Sequence, residues 1–300
     1  MASASELDEV ELSLINCKSS VPPADLIVKY LKISRELKIR DSQVVARYGS
    51  ILLRNYKNIL AEEEKWLVHE QVAVASLDCG AIPFATDLIR AVARRFPESS
   101  RTRRLQGMFW EASGNPEKAI EIYQDVLTAK PSDEIAAKRL IAVEKTRGNT
   151  LAAAEALKKY LDIYSGDREA WEELAELYLE LLMYKQALFC FEELLMFNPL
   201  NPQYLVAYAD VLYTIGSFRL ARSYYSKAVE ASLGSSNRAL FGILACYANI
   251  TEKVSLQDSK TRAQIELPDL SAQALIKLYR QNAPDKLPLL EPMLKKLNLI

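Results

Sequence analysis

The stretch that decides the fold is Asp167–Pro199, DREAWEELAELYLELLMYKQALFCFEELLMFNP. Its first half places Trp171, Leu174, Ala175 and Tyr178 at the spacing of one helix face. Its second half sets Ala187 one helical turn before Phe191 and ends on Pro199. Stepping outward by 34 residues, Ala187 recurs as Ala153, Ala119 and Ala85 upstream and as Ala221 downstream. Each alanine has a bulky apolar residue four positions on: Ile89, Tyr123, Leu157, Phe191 and Tyr225. Five residues before the alanines stand Gly80, Gly114, Gly148 and Gly216, with Leu182 the exception. Twelve residues after them stand Pro97, Pro131 and Pro199, with Ser165 and Leu233 at the other two places. A 34-residue period is that of a helix–turn–helix repeat, so the chain is expected to stack hairpins and to lack a single globular core.

The spacing has a mechanical reason. Where two helices of a hairpin cross, a small side chain lets the backbones approach, and the residue one turn on fills the groove. Glycine ends the first helix by adopting positive φ at little cost, and proline stops the second.

Composition agrees with helices. Half of the 300 residues are hydrophobic, while only 9 glycines and 12 prolines occur. Lys and Arg total 38 against 39 Asp and Glu, a net charge of −1 that gives no electrostatic case for nucleic acid. Cys17, Cys79, Cys190 and Cys246 are scattered, and His69 is the only histidine, so neither a disulfide framework nor a metal site is expected. The reading is of reduced thiols buried as small hydrophobes in a cytosolic protein. The N-terminus, MASASELDEVELS, lacks the basic and apolar regions of a signal peptide, and no apolar run is long enough to span a bilayer. Membrane contact is therefore expected only through partners.

Along the chain, residues 1–21 are small, polar and acidic and are expected to be disordered or loosely attached. Residues 22–62 carry two apolar-periodic segments outside the register, read as N-terminal capping helices, the second capped by Asp41. Five repeats occupy 63–235. In 236–300 the register weakens into a partial sixth repeat (RALFGILACYANI), a polar loop over 251–269, and closing helices from LSAQALIKLYRQ and LPLLEPMLKKLNLI. The last helix is expected to start near Pro288 or to break at Pro292.

Trp171, Leu174, Ala175, Tyr178, Ala187, Phe191 and Pro199 occupy the signature slots of the tetratricopeptide consensus, so the chain is identified as a member of that family. The resemblance implies an all-α right-handed superhelical solenoid. A narrower likeness, carried by VHEQVAVASLDCG, by Asp167–Pro199 and by NRALFGILACYANI, covers roughly residues 60–250. Those segments resemble the family of subunit 2 of the endoplasmic reticulum (ER) membrane protein complex. The likeness implies a non-catalytic cytosolic scaffold, peripheral on the ER face. Its implied partners are the membrane-embedded and soluble subunits of an insertase for tail-anchored and multipass proteins. No cofactor and no small-molecule substrate are implied.

A tetratricopeptide superhelix holds partner segments on the concave face built by its first helices. In this register the groove candidates are Arg101, Arg104, Met108, Lys138, Lys145, Glu169, Glu172, Glu176, Asp210 and Tyr213, basic in the middle and acidic further on. Such a polarity would orient an extended segment and speed its docking. The alternative, a free adaptor or co-chaperone, meets an obstacle. Clamps for the C-terminal carboxylate of Hsp70 or Hsp90 use Lys and Asn at two first-helix slots, whereas here Lys138 is followed by Ala142, and the next repeat offers Glu172 and Glu176. The tyrosines gathered late in the chain, among them Tyr204, Tyr208, Tyr224 and Tyr225, are read as inter-repeat packing. No phosphate loop, dinucleotide fingerprint or nucleophile elbow occurs, and no enzyme activity is expected.

Overall fold

A computed structural model describes residues 3–17, 22–56, 59–251, 266–297 and 299. Among them the regular structure is helical throughout, with sixteen α-helices and no strand. The chain forms two compact units, Met1–Asn149 and Thr150–Ile300.

In the first unit α1 (Ala4–Ile15) and α2 (Ala24–Glu36) precede α3 (Ser42–Asn55). Two hairpins follow, α4 (Glu62–Asp78) with α5 (Ile82–Arg95) and α6 (Ser100–Ala112) with α7 (Pro116–Ala129), and α8 (Glu134–Thr146) packs on α7. The second unit begins with α9 (Thr150–Leu161), which packs on α10 (Arg168–Glu180). Its hairpins are α10 with α11 (Tyr184–Phe197) and α12 (Pro202–Thr214) with α13 (Phe218–Ala231). Closing it are α14 (Asn237–Thr251), α15 (Glu266–Asn282) and α16 (Leu287–Lys296).

The alanine ladder is the buried seam. Ala85, Ala119, Ala153, Ala187 and Ala221 are fully buried, and Ile89, Tyr123, Leu157, Phe191 and Tyr225 are buried beside them. Each such apolar side chain contributes about 2 kcal/mol by leaving water. The small slot of the opposing helix is equally tight. A Cβ on Gly107 would lie 2.5 Å from the Tyr123 ring, so only glycine lets α6 meet α7 there. Gly80, Gly114, Gly148 and Gly216 turn out of their helices at φ 73–89°, and Leu182 does the same at φ 58°.

Two expectations are corrected and one either/or reading is resolved. The N-terminal segment is not loose: Ser3 caps α1 through the Glu6 amide at 3.2 Å, and Leu7, Val10 and Leu14 are buried in the first unit's core. Their helical spacing was hidden in an acidic composition. Positions 1, 2 and 18–21 of that segment lie outside the described residues. The last helix starts at Leu287, beside Pro288, as the first of the two readings had it, and Pro292 lies inside it with Leu290 and Leu294 buried on either side. The cysteines are not uniformly buried: Cys190 and Cys246 are, but Cys79 is exposed and Cys17 half-buried. Burial pushes the Cys190 thiol up to about 12 and that of Cys246 up to about 11, which keeps both protonated and unreactive. Of the expected polar loop over 251–269, residues 252–265 lie outside the described ones; α15 already begins at Glu266.

Candidate functional site

The first helices of the first unit line two hollows. One, with a volume of ≈400 Å³, is bordered by Arg35, Lys38, Arg40, Glu70, Asp78 and Arg101. The other, ≈530 Å³, is bordered by Met108, Glu111, Arg139, Ala142, Thr146 and Arg147. Arg101 borders the first hollow, and Met108, half-buried against the first unit's core, borders the second. Their cationic neighbours are largely committed within the chain. Arg40 holds Asp78 through two nitrogens at 2.9 and 2.6 Å, and Ser42 donates to the same carboxylate at 2.6 Å. Arg35 pairs with Glu64, and Arg101 with Glu70 at 2.6 Å.

Arg104 is the most committed of all. Its Nη1 lies 2.8 and 2.6 Å from the two oxygens of Asp133, and the side chains are only 14% and 2% exposed. Asp133 is also the N-cap of α8, accepting from the Ala136 amide at 3.1 Å. Burial alone would raise this carboxyl. The hydrogen bond from Arg104, that from Ala136 and the guanidinium charge outweigh burial and hold it below the usual carboxylate range. Arg104 therefore ties one hairpin to the next instead of facing a partner. Lys138 and Lys145 are exposed on α8, Lys138 against Glu134 at 2.9 Å.

A related device recurs at the hairpin crossings. The Tyr123 hydroxyl donates to Glu111, whose other oxygen takes Arg139 of α8 at 3.3 Å. In the second unit Tyr225 donates to Asp210 at 2.5 Å, and Arg238 of α14 closes on the other oxygen at 2.7 Å. Burial first, and then these hydrogen bonds, push both tyrosines well above their ordinary pKa, so they remain donors. Two N-cap aspartates are held in the same spirit, Asp41 by Tyr30 at 3.3 Å and Asp167 by Tyr160 at 2.8 Å.

The acidic candidates divide by the same test. Glu172 accepts from the Tyr204 hydroxyl and lies 3.6 Å from Arg168, so it belongs to the α10–α12 contact. Asp210 is taken by Tyr225 and Arg238 as above, and the Tyr213 hydroxyl accepts from Asn249 at 2.8 Å. Glu169 and Glu176 are exposed on α10. Tyr204, Tyr208 and Tyr225 are buried, with Tyr208 against the Tyr224 ring at 4.6 Å, so the late tyrosines pack the repeats together.

Composition could not separate the structural charges from the open ones, yet a signal was present. Five of these pairs join opposite charges 28–31 residues apart, a little under one period: Arg35–Glu64, Arg101–Glu70, Arg104–Asp133, Arg139–Glu111 and Arg238–Asp210; Arg40–Asp78, 38 apart, is the exception. Among the described residues no cluster of His, Cys, Asp and Glu is placed to hold a metal ion, and no helix is long and apolar enough to cross a membrane.

Comparisons with known proteins agree with this architecture. The family model of the EMC2 TPR-like repeat domain matches residues 88–223. ER membrane protein complex subunit 2-A of Xenopus laevis is 34% identical over 253 residues, covering 83% of this chain and 84% of the relative. Subunit 2 of Dictyostelium discoideum is likewise 34% identical, over 68% of this chain and 65% of the relative. Among solved structures, the C-terminal part of a TPR repeat-containing protein from Cytophaga hutchinsonii superposes with a TM-score of 0.56, covering 87% of this chain and 96% of that one. At 15% identity that likeness speaks for the tetratricopeptide fold alone. A third of the residues are thus shared across more than four fifths of both chains with a named relative, and this chain belongs to the family of ER membrane protein complex subunit 2.

Proposed function

We propose that the chain is a non-catalytic scaffold on the cytosolic face of the ER membrane, peripheral to it and attached through partners. It holds membrane-embedded and soluble subunits together while the assembly places tail-anchored and multipass proteins into the bilayer. The observation that supports this most is the 34% identity, over 83% of the chain, to relatives named as subunit 2 of that complex. The geometry adds a physical reason. Charged and tyrosine side chains at the crossings are consumed in repeat-to-repeat clamps, which stiffen a surface without building a reaction site. Exposed groups on the first helices, Lys138 and Lys145 in one unit and Glu169 and Glu176 in the other, then offer charge to extended partner segments.

Affinity purification of the tagged chain from detergent-solubilised ER membranes tests this. Recovery of a stoichiometric set of membrane and soluble subunits is expected. Recovery of Hsp70 or Hsp90 alone would replace the scaffold with a free co-chaperone.

A further inference from the structure

The outer face of α11 differs from every other second helix in the array. Phe189, Met196 and Phe197 are 53%, 77% and 45% exposed, and Leu200 just beyond the helix is 76% exposed. The repeat period supplies its own control. At the Phe189 position the other four repeats carry Asp87, Glu121, Glu155 and Ser223; at the Met196 position they carry Arg94, Thr128, Asp162 and Glu230. Where Leu200 stands they have Glu98, Ser132, Gly166 and Gly234. One repeat of five has replaced solvent-facing polar and small residues with large apolar ones at three positions in the same register. An exposed apolar stripe of this kind marks a contact surface.

Charge identifies the chemistry of what covers it. Between Phe189 and Leu200 the charged residues are Glu192 and Glu193, with no Lys or Arg, and Glu192 also accepts from the Tyr208 hydroxyl at 2.8 Å. Glu192 and Glu193 lie on α11 between Phe189 and Met196, and Glu180 ends α10. The last turn of α11 has no basic residue to offset the negative end of the helix dipole, and Met196 and Phe197 are exposed there. Such a rim repels anionic headgroups and attracts Lys and Arg. Phe189 and Met196 are seven residues apart, two turns or about 10 Å along the axis, which matches the repeat of one apolar stripe on a second helix. The Phe189 ring meets Trp171 edge-on at 5.9 Å, so it is a fixed anchor.

We propose that the outer face of α11 docks an amphipathic helix of basic character from a partner protein, its apolar stripe on Phe189, Met196 and Leu200 and its Lys or Arg residues on the surrounding carboxylates. This rests on the reading that the chain works by holding partners, but the two fail separately. Subunits can co-purify through other surfaces whether or not this face binds a helix.

The probe is an 18-residue Leu/Lys amphipathic peptide followed by fluorescence anisotropy, with a Leu/Glu peptide of identical apolar face as control. The variant is Phe189→Glu, Met196→Asp, Leu200→Gly in the full chain. It carries the residues found one repeat earlier and so is expected to keep its helical circular dichroism and melting temperature. The basic peptide should bind the parent chain, lose at least tenfold in affinity on the variant and weaken with salt, while the acidic peptide should not bind. Any one of four results overturns the proposal: no binding by the parent chain, equal binding of both peptides, equal binding by parent and variant, or loss in the variant only of anionic-vesicle capture or of self-association.

Discussion

Arg104 of α6 reaches forward to Asp133, holding both carboxylate oxygens at 2.8 and 2.6 Å while Asp133 caps α8. One contact thus fixes the register between consecutive repeats and the start of a helix. Asp133→Ala should leave a nearly buried guanidinium unpaired and a helix uncapped, costing about 3–5 kcal/mol. Asp133→Asn keeps a capping oxygen and should lose less. Urea unfolding of both variants checks this, and equal, small losses would remove Arg104–Asp133 from the account.

Acid should loosen the first unit through the same group. The carboxyls of Asp133 and Asp78 are held below their ordinary values when folded. Their stabilisation is therefore complete above the unfolded pKa of about 4 and lost as pH falls through the folded values. Stability measured from pH 6 to pH 2 should decline over that window, and Asp133→Asn should flatten part of the decline.

Leu182 holds φ 58° with its side chain exposed, where the sister repeats place glycine. A non-glycine residue in that conformation costs about 1–2 kcal/mol. Leu182→Gly should raise stability by roughly 1 kcal/mol, because the loop already demands the conformation and glycine enters it without strain. The melting temperature is the readout. A fall would mean that Leu182 contributes packing that its exposure conceals.

Gly107 lies against Tyr123, and a Cβ there would meet the ring at 2.5 Å. Gly107→Ala should therefore cost about 1–3 kcal/mol by overpacking. Tyr123→Leu, which restores the residue found at Leu157 one repeat on, should recover part of that loss in the double variant. Additive losses would show that the two positions do not share the clash.

How far the sequence could be read follows from what repeats. The ladder from Ala85 to Ala221 was legible because a helix crossing needs one small and one large residue at a set spacing in every unit. Leu182 stood out as a break in the glycine series, and the structure makes it a strained turn. Leu7, Val10 and Leu14 are hard to read because their helical spacing lies in a short segment rich in acidic and small residues. The charges of the candidate groove were legible by type but not by role. Arg104, Glu172 and Asp210 look like Lys138, Glu169 and Glu176 in sequence, and only their contacts with Asp133, Tyr204 and Tyr225 separate clamp from exposed surface. Charge reversal for the groove therefore belongs at Glu169 and Glu176, since a change at Glu172 would also break the hydrogen bond from Tyr204.

If this chain holds an assembly together, its removal should take that assembly apart. The most direct measurement depletes the chain from cells and determines the size and subunit stoichiometry of the remaining membrane complex after detergent extraction. Soluble subunits are expected to dissociate and membrane subunits to run as smaller species, with assembly restored by re-expression of the chain. A complex of unchanged size and composition, short of only this chain, would contradict a scaffold role.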